Sequence, residues 1–300
     1  MKILVSGASG LVGSALVPVL VARGHTVVRL VRSAAQAGEG AVVWDPLGEK
    51  LEAGDVEGFD AVVHLAGEGI ATKRWTEEQK ALIRDSRVKG SGIIARTLAG
   101  LASPPAVLVC ASAVGYYGDR GDEILVEESP PGKGFLADTC RMWEEASQPA
   151  ADKGIRVVRL RIGVVLSGKG GALKLMLPPF QLGLGGPLGA GRHYMSWISL
   201  EDLVGVIECA ITDKRLSGPV NAVAPNPVTN LEFTRILGEV LRRPTIFPVP
   251  PFALRLMFGQ MADEVLLASQ RVVPNKLMGI DYSFRHRAVE AALRSALGRN

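Results

Sequence analysis

Short apolar runs rich in β-branched residues recur along the first half of the chain, with helix-like stretches between them. The runs are Ile3 to Val5, Val27 to Val31, Ala41 to Trp44, Ala61 to Leu65, Ala106 to Cys110 and Val157 to Leu160. Near-continuous apolar strands that alternate with helices are typical of a parallel sheet covered on both faces. The pattern therefore predicts an α/β fold with a Rossmann-type, doubly wound parallel sheet.

Several helix boundaries are marked by residues that satisfy otherwise unpaired backbone groups. Thr76 with Gln79, and Thr229 with Glu232, have the spacing of a capping box at a helix start. Gly24 follows the first helix-like segment, where a left-handed residue commonly ends a helix. These signals predict helices that begin after residues 76 and 229, and one that ends before residue 24.

The regular alternation of strands and helices stops after about residue 165. Glycine- and proline-rich loops follow, and helical patterning returns at Phe252 to Gln270 and at Arg287 to Leu297. We expect a Rossmann domain over residues 1–243, with insertions on the substrate side from about 166. A smaller carboxy-terminal lobe is expected over residues 244–300.

A glycine-rich segment, GASGLVG from Gly7 to Gly13, follows the first apolar run and opens a helix-like stretch. Glycines at this point let backbone N–H groups and the positive end of a helix dipole approach a diphosphate. The GxxGxxG spacing is weak evidence alone, but its place between a strand and a helix strengthens it. A P-loop is excluded because no Lys followed by Ser or Thr closes the turn. The segment predicts a dinucleotide site.

Arg32 stands at the end of the second apolar run, about 20 residues after the glycines, where the adenosine ribose is expected. An acidic residue there would bind the ribose 2′-hydroxyl, whereas a guanidinium binds a 2′-phosphate through paired, charge-assisted hydrogen bonds. The sequence therefore predicts NADP(H) rather than NAD(H) as the cofactor. The alternative is a solvated surface arginine.

Composition narrows the class of protein. The 300 residues are 47% hydrophobic and carry a net charge of +4 from interspersed basic and acidic residues. No run of like charges indicates a nucleic-acid arm or a membrane patch, and the first apolar run is too short for a signal or membrane span. The net charge fits small anionic ligands better than nucleic acid or a membrane surface. The three cysteines are not spaced in pairs and the four histidines are scattered, so the sequence predicts no metal site. We expect a cytoplasmic protein, monomeric or homodimeric, with a small-molecule substrate, no nucleic acid and no membrane partner.

Further motifs resemble one family over nearly the whole chain. DAVVHLAGEGI, from Asp60, resembles the extended short-chain dehydrogenase/reductase superfamily, whose fourth strand ends in a comparable HLAG. More narrowly, the chain is similar to the YfcH-like group of NAD-dependent epimerase family proteins in LAGE, KRW, DSRVKGS, SAVGYYG, LPPFQLGLGGPLGAG and SWISLEDL. The final VVPNKLMGIDYSF is similar to that group's carboxy-terminal domain of unknown function.

The resemblance implies a set of cofactor contacts. They are Gly7, Ser9, Gly10, Leu11 and Val12 at the diphosphate, Arg32 at the 2′-phosphate, and Leu65, Ala66 and Gly67 under the adenosine-side ribose and toward the nicotinamide. Glu68 and Arg87 are further implied contacts of the cofactor. Arg87 falls where extended members usually place an asparagine, so a cation is expected close to the cofactor.

The family's catalytic pair is missing. Short-chain dehydrogenases place a Tyr and a Lys one helical turn apart, so that the Tyr exchanges a proton and the Lys lowers its pKa. Counting back from Glu144, which matches an acidic residue eight after the Tyr, these positions hold Leu136 and Cys140. Phe135 and Thr139, in the neighbouring register, are equally unable to replace them.

Candidate replacements follow the fifth apolar run. Ser112 stands near the family's serine position, although SAVGYYG is one residue longer than the usual segment, which leaves Ala113 as the alternative. Tyr116 or Tyr117, on the loop after the strand, would supply a phenol at the sheet edge where ligands bind. The alternative is that both tyrosines pack beneath the substrate lobe.

Two classes of function remain. Arg74 beside Trp75 suits an anionic substrate, although Trp75 also suits a hydrophobic contact at a helix start. We expect an NADP(H)-dependent oxidoreductase or nucleotide-sugar-type epimerase that lacks the YxxxK pair. The missing Tyr and Lys favour the other class, a non-catalytic NADP(H)-sensing regulator or scaffold.

Overall fold

The computed structural model describes residues 1–33, 40–71 and 73–299. The strands are β1 (Lys2–Ser6), β2 (Thr26–Val31), β3 (Ala41–Val43), β4 (Ala61–His64), β5 (Val107–Ala113), β6 (Ile124–Leu125), β7 (Arg156–Ile162), β8 (Val164–Leu166), β9 (Tyr194–Met195), β10 (Trp197–Ser199), β11 (Gly218–Ala222), β12 (Val228–Thr229) and β13 (Arg271–Val272). The α-helices are α1 (Leu11–Ala22), α2 (Glu77–Ala99), α3 (Phe135–Glu145), α4 (Gln148–Asp152), α5 (Gly171–Gln181), α6 (Leu200–Thr212), α7 (Asn230–Leu241), α8 (Pro251–Phe258), α9 (Asn275–Gly279) and α10 (Val289–Ala296). Short 3₁₀ turns cover Ala53–Val56 and Val114–Tyr117, and a π-helical turn covers Ala262–Leu266.

Seven of the described strands form one sheet in the order β11-β7-β5-β4-β1-β2-β3. β1 pairs in parallel with β2 on one side and with β4 on the other, and the β2–β3 and β4–β5 pairs are parallel too. Each strand from the predicted apolar runs is present. The predicted Rossmann-type parallel sheet is confirmed.

The strand order reverses at β1, because β2 lies on one side of it and β4 on the other. Loops that leave the carboxyl ends of neighbouring strands then run in opposite directions and open a crevice between them. The turn after β1 and the segment after β4 border this crevice, which places the glycine-rich segment at the sheet edge where ligands bind.

The predicted helix boundaries hold at the amino-terminal ends. Thr76 accepts a hydrogen bond from the Gln79 backbone N–H at 3.2 Å, and Thr229 with Glu232 forms a complete capping box. The helical patterning predicted over Phe252 to Gln270 corresponds to two helical segments, α8 and the π-helical turn. α8 ends at Phe258 because Gly259 takes a left-handed φ of +60°, and the chain continues as the π-helical turn.

The chain divides into two compact units. Unit 1 comprises residues 1–112, 139–160 and 204–220, and unit 2 comprises residues 113–138, 161–203 and 221–300. The core of unit 1 joins sheet residues Leu4, Val62 and Leu108 to Ile94 and Leu98 of α2. The hydrophobic effect of this burial holds the long helix α2 against one face of the sheet.

The core of unit 2 is built around Trp197 and Phe233, with Leu237 of α7 and Leu293 of α10 packed against them. Its ends are joined by backbone pairing, because β13, close to the carboxyl end, lies parallel to β6 of the loop after β5. Residues 244–300, predicted to form a lobe of their own, thus share unit 2 with earlier segments. The predicted boundary at 243/244 stays a prediction.

Within the described ranges, no helix combines the length and hydropathy that a membrane span requires.

Candidate cofactor site

The turn after β1 is packed so closely that only glycine fits at two of its positions. Gly7 has a φ of +68°, and a Cβ on it would lie 2.8 Å from the backbone nitrogen of Ala66. A Cβ on Gly13, inside the first turns of α1, would lie 2.2 Å from the carbonyl oxygen of Gly7. The glycines therefore let β1, the segment after β4 and α1 meet at backbone distance.

The amino-terminal end of α1 is open to an anion. The residue before the helix is Gly10, which has no side chain to cap the first N–H groups, and the first turn, Leu11 to Ser14, is uncharged. Gly10 donates its own N–H to the Gly7 carbonyl at 3.0 Å, which fixes the turn. The partial positive charge of the helix end is therefore available to a ligand phosphate.

A cavity of about 560 Å³ lies in front of this turn. It is lined by Gly7, Ala8, Ser9, Gly10, Arg29, Leu30, Val31, Arg32, Trp44, Pro46, Leu65, Ala66, Gly67, Glu68 and Ser86. Eight residues implied by the resemblance are brought together here, while Leu11 and Val12 lie half-buried in the first turn of α1 behind it. All of these residues belong to unit 1.

Arg32 is exposed where β2 ends, at the rim of the cavity. Arg29, an exposed residue of the same strand, lines the cavity too, so that two arginines border this end. Sequence reasoning missed Arg29, Trp44, Pro46 and Ser86. Their only signal was position, since Trp44 and Pro46 directly follow the third apolar run, at the same sheet edge.

Ser6 and His64 join the ends of β1 and β4 beneath the cavity. The Ser6 hydroxyl lies 2.6 Å from Nδ1 of His64 and accepts hydrogen bonds from the backbone N–H groups of Leu65 (3.2 Å) and Ala66 (3.3 Å). Both side chains are buried. The contact fixes the backbone of the segment that forms the cavity floor.

His64 is held neutral by its surroundings. Complete burial, with a smaller contribution from the positive charge of Arg87, lowers the pKa of His64 to about 4. Its ring stands edge-on to Trp44 at 5.8 Å, and its Nε2 has no hydrogen-bond partner among the described residues. A charged imidazolium here would be costly, so the site keeps its form only while His64 is neutral.

Arg87 of α2 supplies a cation beside the cavity. Its guanidinium stacks over the Trp143 ring at 5.0 Å and donates to the Ile83 carbonyl at 2.9 Å. A Cβ on Gly67, a cavity residue, would lie 3.5 Å from the guanidinium carbon. Burial lowers the pKa of Arg87, opposed by the nearby negative charge of Glu68. Arg87 thus lies next to the part of the cavity formed after β4.

Ser112, at the carboxyl end of β5, donates its hydroxyl hydrogen to Oε1 of Glu144 at 2.8 Å. Ser112 is buried and Glu144 is half-buried on α3, one turn after Cys140. Sequence reasoning used Glu144 only to set a register and missed it as a partner of Ser112. The two residues form a hydroxyl–carboxylate pair capable of moving a proton.

Tyr117 is completely buried inside unit 2. Its hydroxyl lies 2.7 Å from Oδ1 of Asn221 and 3.0 Å from the Val126 carbonyl, and it accepts a hydrogen bond from Arg161 at 2.9 Å. Burial raises the pKa of Tyr117 to about 12, with the Arg161 charge opposing the shift. The Tyr117 phenol is thus engaged in a structural network, and its catalytic role stays a prediction.

Tyr116 differs from its neighbour in exposure. It is half-buried, its ring stands edge-on to Tyr117 at 5.3 Å, and the Arg161 guanidinium lies 3.5 Å from its centroid. The cation–π contact fixes the ring without engaging the hydroxyl. Of the two predicted phenols, Tyr116 is the one with part of its surface open.

Arg74 and Trp75 differ in their exposure and in their hydrogen bonds. Trp75 is 9% exposed and donates its indole N–H to the Ile70 carbonyl at 2.8 Å, which anchors the chain before α2. Arg74 is exposed, and its carbonyl accepts from the Thr76 N–H. The substrate role of Arg74 stays a prediction.

In the described part of the chain, no cluster of three or more His, Cys, Asp or Glu residues is arranged to hold a metal ion.

Comparison with known proteins gives matches over almost the whole chain. An epimerase family protein from Mycobacterium bovis is 44% identical over 297 residues, which cover 99% of this chain and 98% of that protein. The crystal structure of human epimerase family protein SDR39U1 (isoform 2) with NADPH is 34% identical, covers 100% of both chains and has a TM-score of 0.91. A nucleoside-diphosphate sugar epimerase from Corynebacterium glutamicum is 41% identical, with a TM-score of 0.83, over 99% of this chain and 58% of that one.

Two family models match the sequence. Residues 3–222 match the NAD dependent epimerase/dehydratase family, and residues 249–296 match a domain of unknown function, DUF1731. The resemblance drawn from LAGE, SAVGYYG and VVPNKLMGIDYSF is thereby confirmed. The chain belongs to the NAD dependent epimerase/dehydratase family, in the form that carries DUF1731 at its carboxyl end.

Proposed function

We propose that this protein binds NADP(H) in the cavity at the carboxyl ends of β1, β2 and β4. The observation that carries the proposal is the uncapped, uncharged start of α1 in a cavity that has Arg32 at its rim. A dinucleotide with a 2′-phosphate carries negative charge at both places. The human relative of known structure, 34% identical, contains NADPH.

The residues present fit each part of that cofactor. Ser9, Leu11 and Val12 would offer backbone N–H groups to the diphosphate, while Gly10 holds the turn through its own bond to Gly7. A side chain on Gly7 would collide with the segment after β4. Arg32, helped by Arg29, would hold the 2′-phosphate. Leu65 to Glu68 and Arg87 would flank the nicotinamide half, because that half lies beyond β4 in a doubly wound sheet.

We further propose an oxidoreductase or a nucleotide-sugar-type epimerase acting on a small, anionic substrate. The cofactor supplies or accepts a hydride when bound. A substrate hydroxyl that donates to Ser112 would be linked through this hydroxyl to the Glu144 carboxylate, which accepts the proton. Tyr116 stays a candidate phenol, and Arg74 and Arg87 stay candidate cations for the substrate's negative charge.

A second candidate function rests on a different observation. Leu136 and Cys140 occupy the positions of the family's Tyr and Lys, and Tyr117 is locked in unit 2. A protein with this arrangement binds NADP(H) and signals its presence to a partner without turnover. The hydroxyl–carboxylate pair of Ser112 and Glu144 favours the catalytic function over this one.

The cofactor proposal is tested by replacing Arg32 with Ala and titrating NADPH and NADH by calorimetry. We expect NADPH affinity to fall about 10- to 100-fold, since one or two charge-assisted hydrogen bonds are lost, and NADH affinity to stay the same. Arg23→Ala is the matched control, because Arg23 is an exposed arginine at the far end of α1. Equal NADPH affinity in Arg32→Ala would remove the proposal.

The catalytic proposal is tested by NADPH consumption on a panel of carbonyl compounds and by product analysis on nucleotide sugars with the oxidised cofactor, because an epimerase regenerates its cofactor. Turnover that falls at least about 100-fold in Ser112→Ala and Glu144→Gln, with NADPH affinity retained, supports the proton path. Tight NADPH binding with no turnover on any class of substrate supports the sensor instead.

A further inference from the structure

Unit 2 exposes an unusual amount of large apolar side chain. Eight residues are each between 53% and 75% exposed, and we call them the apolar surface: Leu175, Leu182, Leu184, Ile246, Phe247, Phe252, Leu256 and Met257. Isolated exposed apolar residues are normal, whereas a contiguous group indicates a binding surface. Their continuity therefore decides whether this surface has a function.

Backbone pairing brings two loops of the apolar surface together. The Val249 N–H donates to the Pro187 carbonyl and the Gly189 N–H donates to the Val249 carbonyl, both at 2.9 Å. A Cβ on Gly186 would fall within 1.8 Å of the Phe247 carbonyl oxygen, and a Cβ on Gly183 would touch Pro244. The two loops run side by side, which places Leu184 next to the exposed Ile246 and Phe247.

Helices extend the apolar surface on both sides of these loops. Leu175 of α5 and Leu182, the residue that caps this helix, are seven positions apart and hence on one side of it. The exposed Pro178 and Pro179 lie between them in the sequence. α8 follows directly after the second loop, and its Phe252 and Leu256, one turn apart, are 72% and 75% exposed. The apolar surface is therefore continuous across two helices and two loops.

The charges beside this surface are mainly basic. Lys174 of α5 adjoins Leu175, and the exposed Arg242 and Arg243 precede Pro244. The sequence contains no Asp or Glu from residue 153 to 200 or from 240 to 262. The nearest acidic residue after α8, Asp263, is paired with Arg255 at 2.9 Å. The apolar surface is thus bordered by cations.

We propose that the apolar surface of unit 2 binds an anionic phospholipid bilayer, with its Leu, Ile, Phe and Met side chains entering the interface. Apolar side chains bordered by Lys and Arg are what such an interface selects, because the cations meet lipid phosphates. A second copy bound through the same face would set these cations against one another. The proposal departs from the sequence expectation of no membrane partner, since the cations come from separate segments rather than from one run.

Vesicle flotation of the whole protein tests the proposal. The probes are two kinds of vesicle. One contains phosphatidylcholine alone, and the other also contains about 30 mol% phosphatidylglycerol to represent a negatively charged leaflet. We expect binding to the anionic vesicles that weakens in high salt. Phe252→Ser/Leu256→Ser and Arg242→Glu/Arg243→Glu should each weaken it at least about tenfold.

The matched controls replace exposed apolar side chains, or reverse an exposed charge, outside the apolar surface. Val21→Ser/Ile124→Ser removes two side chains exposed by 56% and 55% outside the surface, and Lys214→Glu reverses an exposed charge. Both should bind vesicles as the parent protein does, and every variant should keep its NADPH affinity. No vesicle binding, or binding unchanged in the Phe252 and Arg242 double variants, overturns the proposal. A dimer abolished by Phe252→Ser/Leu256→Ser, without vesicle binding, would assign the surface to a second copy instead.

Discussion

The glycine turn of unit 1 and the Tyr117 network of unit 2 are both conspicuous in the sequence, yet only the turn's structure follows from its own residues. The turn is built from positions 7 to 13 and depends on the absence of side chains. Tyr117 is fixed by Asn221 and Arg161, which lie 104 and 44 residues away in the chain.

The difference shows which features a local sequence pattern predicts and which it does not. A strand, a tight turn and a helix determine most of their geometry within ten residues. The environment of a tyrosine on a loop is decided by whichever distant segments pack on it. The burial and the hydrogen bonds of the Tyr117 phenol therefore do not follow from the residues next to it.

Gly13→Ala tests the glycine turn of unit 1 and should have the largest effect of the substitutions compared. The new methyl would collide with the Gly7 carbonyl, so we expect a loss of about 3 kcal/mol in the free energy of unfolding and at least about tenfold weaker NADPH binding. Urea denaturation and NADPH titration measure both. Gly54→Ala, where a Cβ meets open space, is the control and should change neither.

Acid should destabilise unit 1 through His64. Because the folded pKa of about 4 lies below the unfolded value of 6.5, the neutral ring contributes its full stability above pH 6.5 and loses it as the pH falls toward 4. Between pH 7.5 and 4.5 the parent protein should lose about 2–3 kcal/mol more than His64→Phe, which does not titrate. Parallel pH profiles of the two proteins would contradict the buried, neutral state of His64.

Tyr117→Phe should have the smallest of these effects, about 2 kcal/mol in the free energy of unfolding. It leaves the buried Asn221 oxygen and the Arg161 guanidinium each short of a partner. Tyr116→Phe is the matched control and should change stability by less than about 0.5 kcal/mol, because its ring contacts stay. Loss of turnover in Tyr117→Phe with unchanged stability would return Tyr117 to the catalytic candidates.

The sequence predicted the parts of the molecule that repeat known local rules. The parallel sheet, the glycine turn, the place of Arg32 and the cap at Thr229 all depend on short-range spacing. Arg29 was missed because one arginine on a strand carries no signal until the neighbouring strands are placed. Glu144 was missed as a partner because its meeting with Ser112 joins a strand end to a helix 32 residues later.

The pairing of β13 with β6 has a consequence for how the protein is made. These strands come from the last and the first segments of unit 2, so the unit lacks a complete set of backbone partners until the carboxyl end has left the ribosome. Pairings that span so much of the chain form slowly, because the intervening loop must close first. The nascent chain therefore carries β6 without this partner until residues 271 and 272 have emerged.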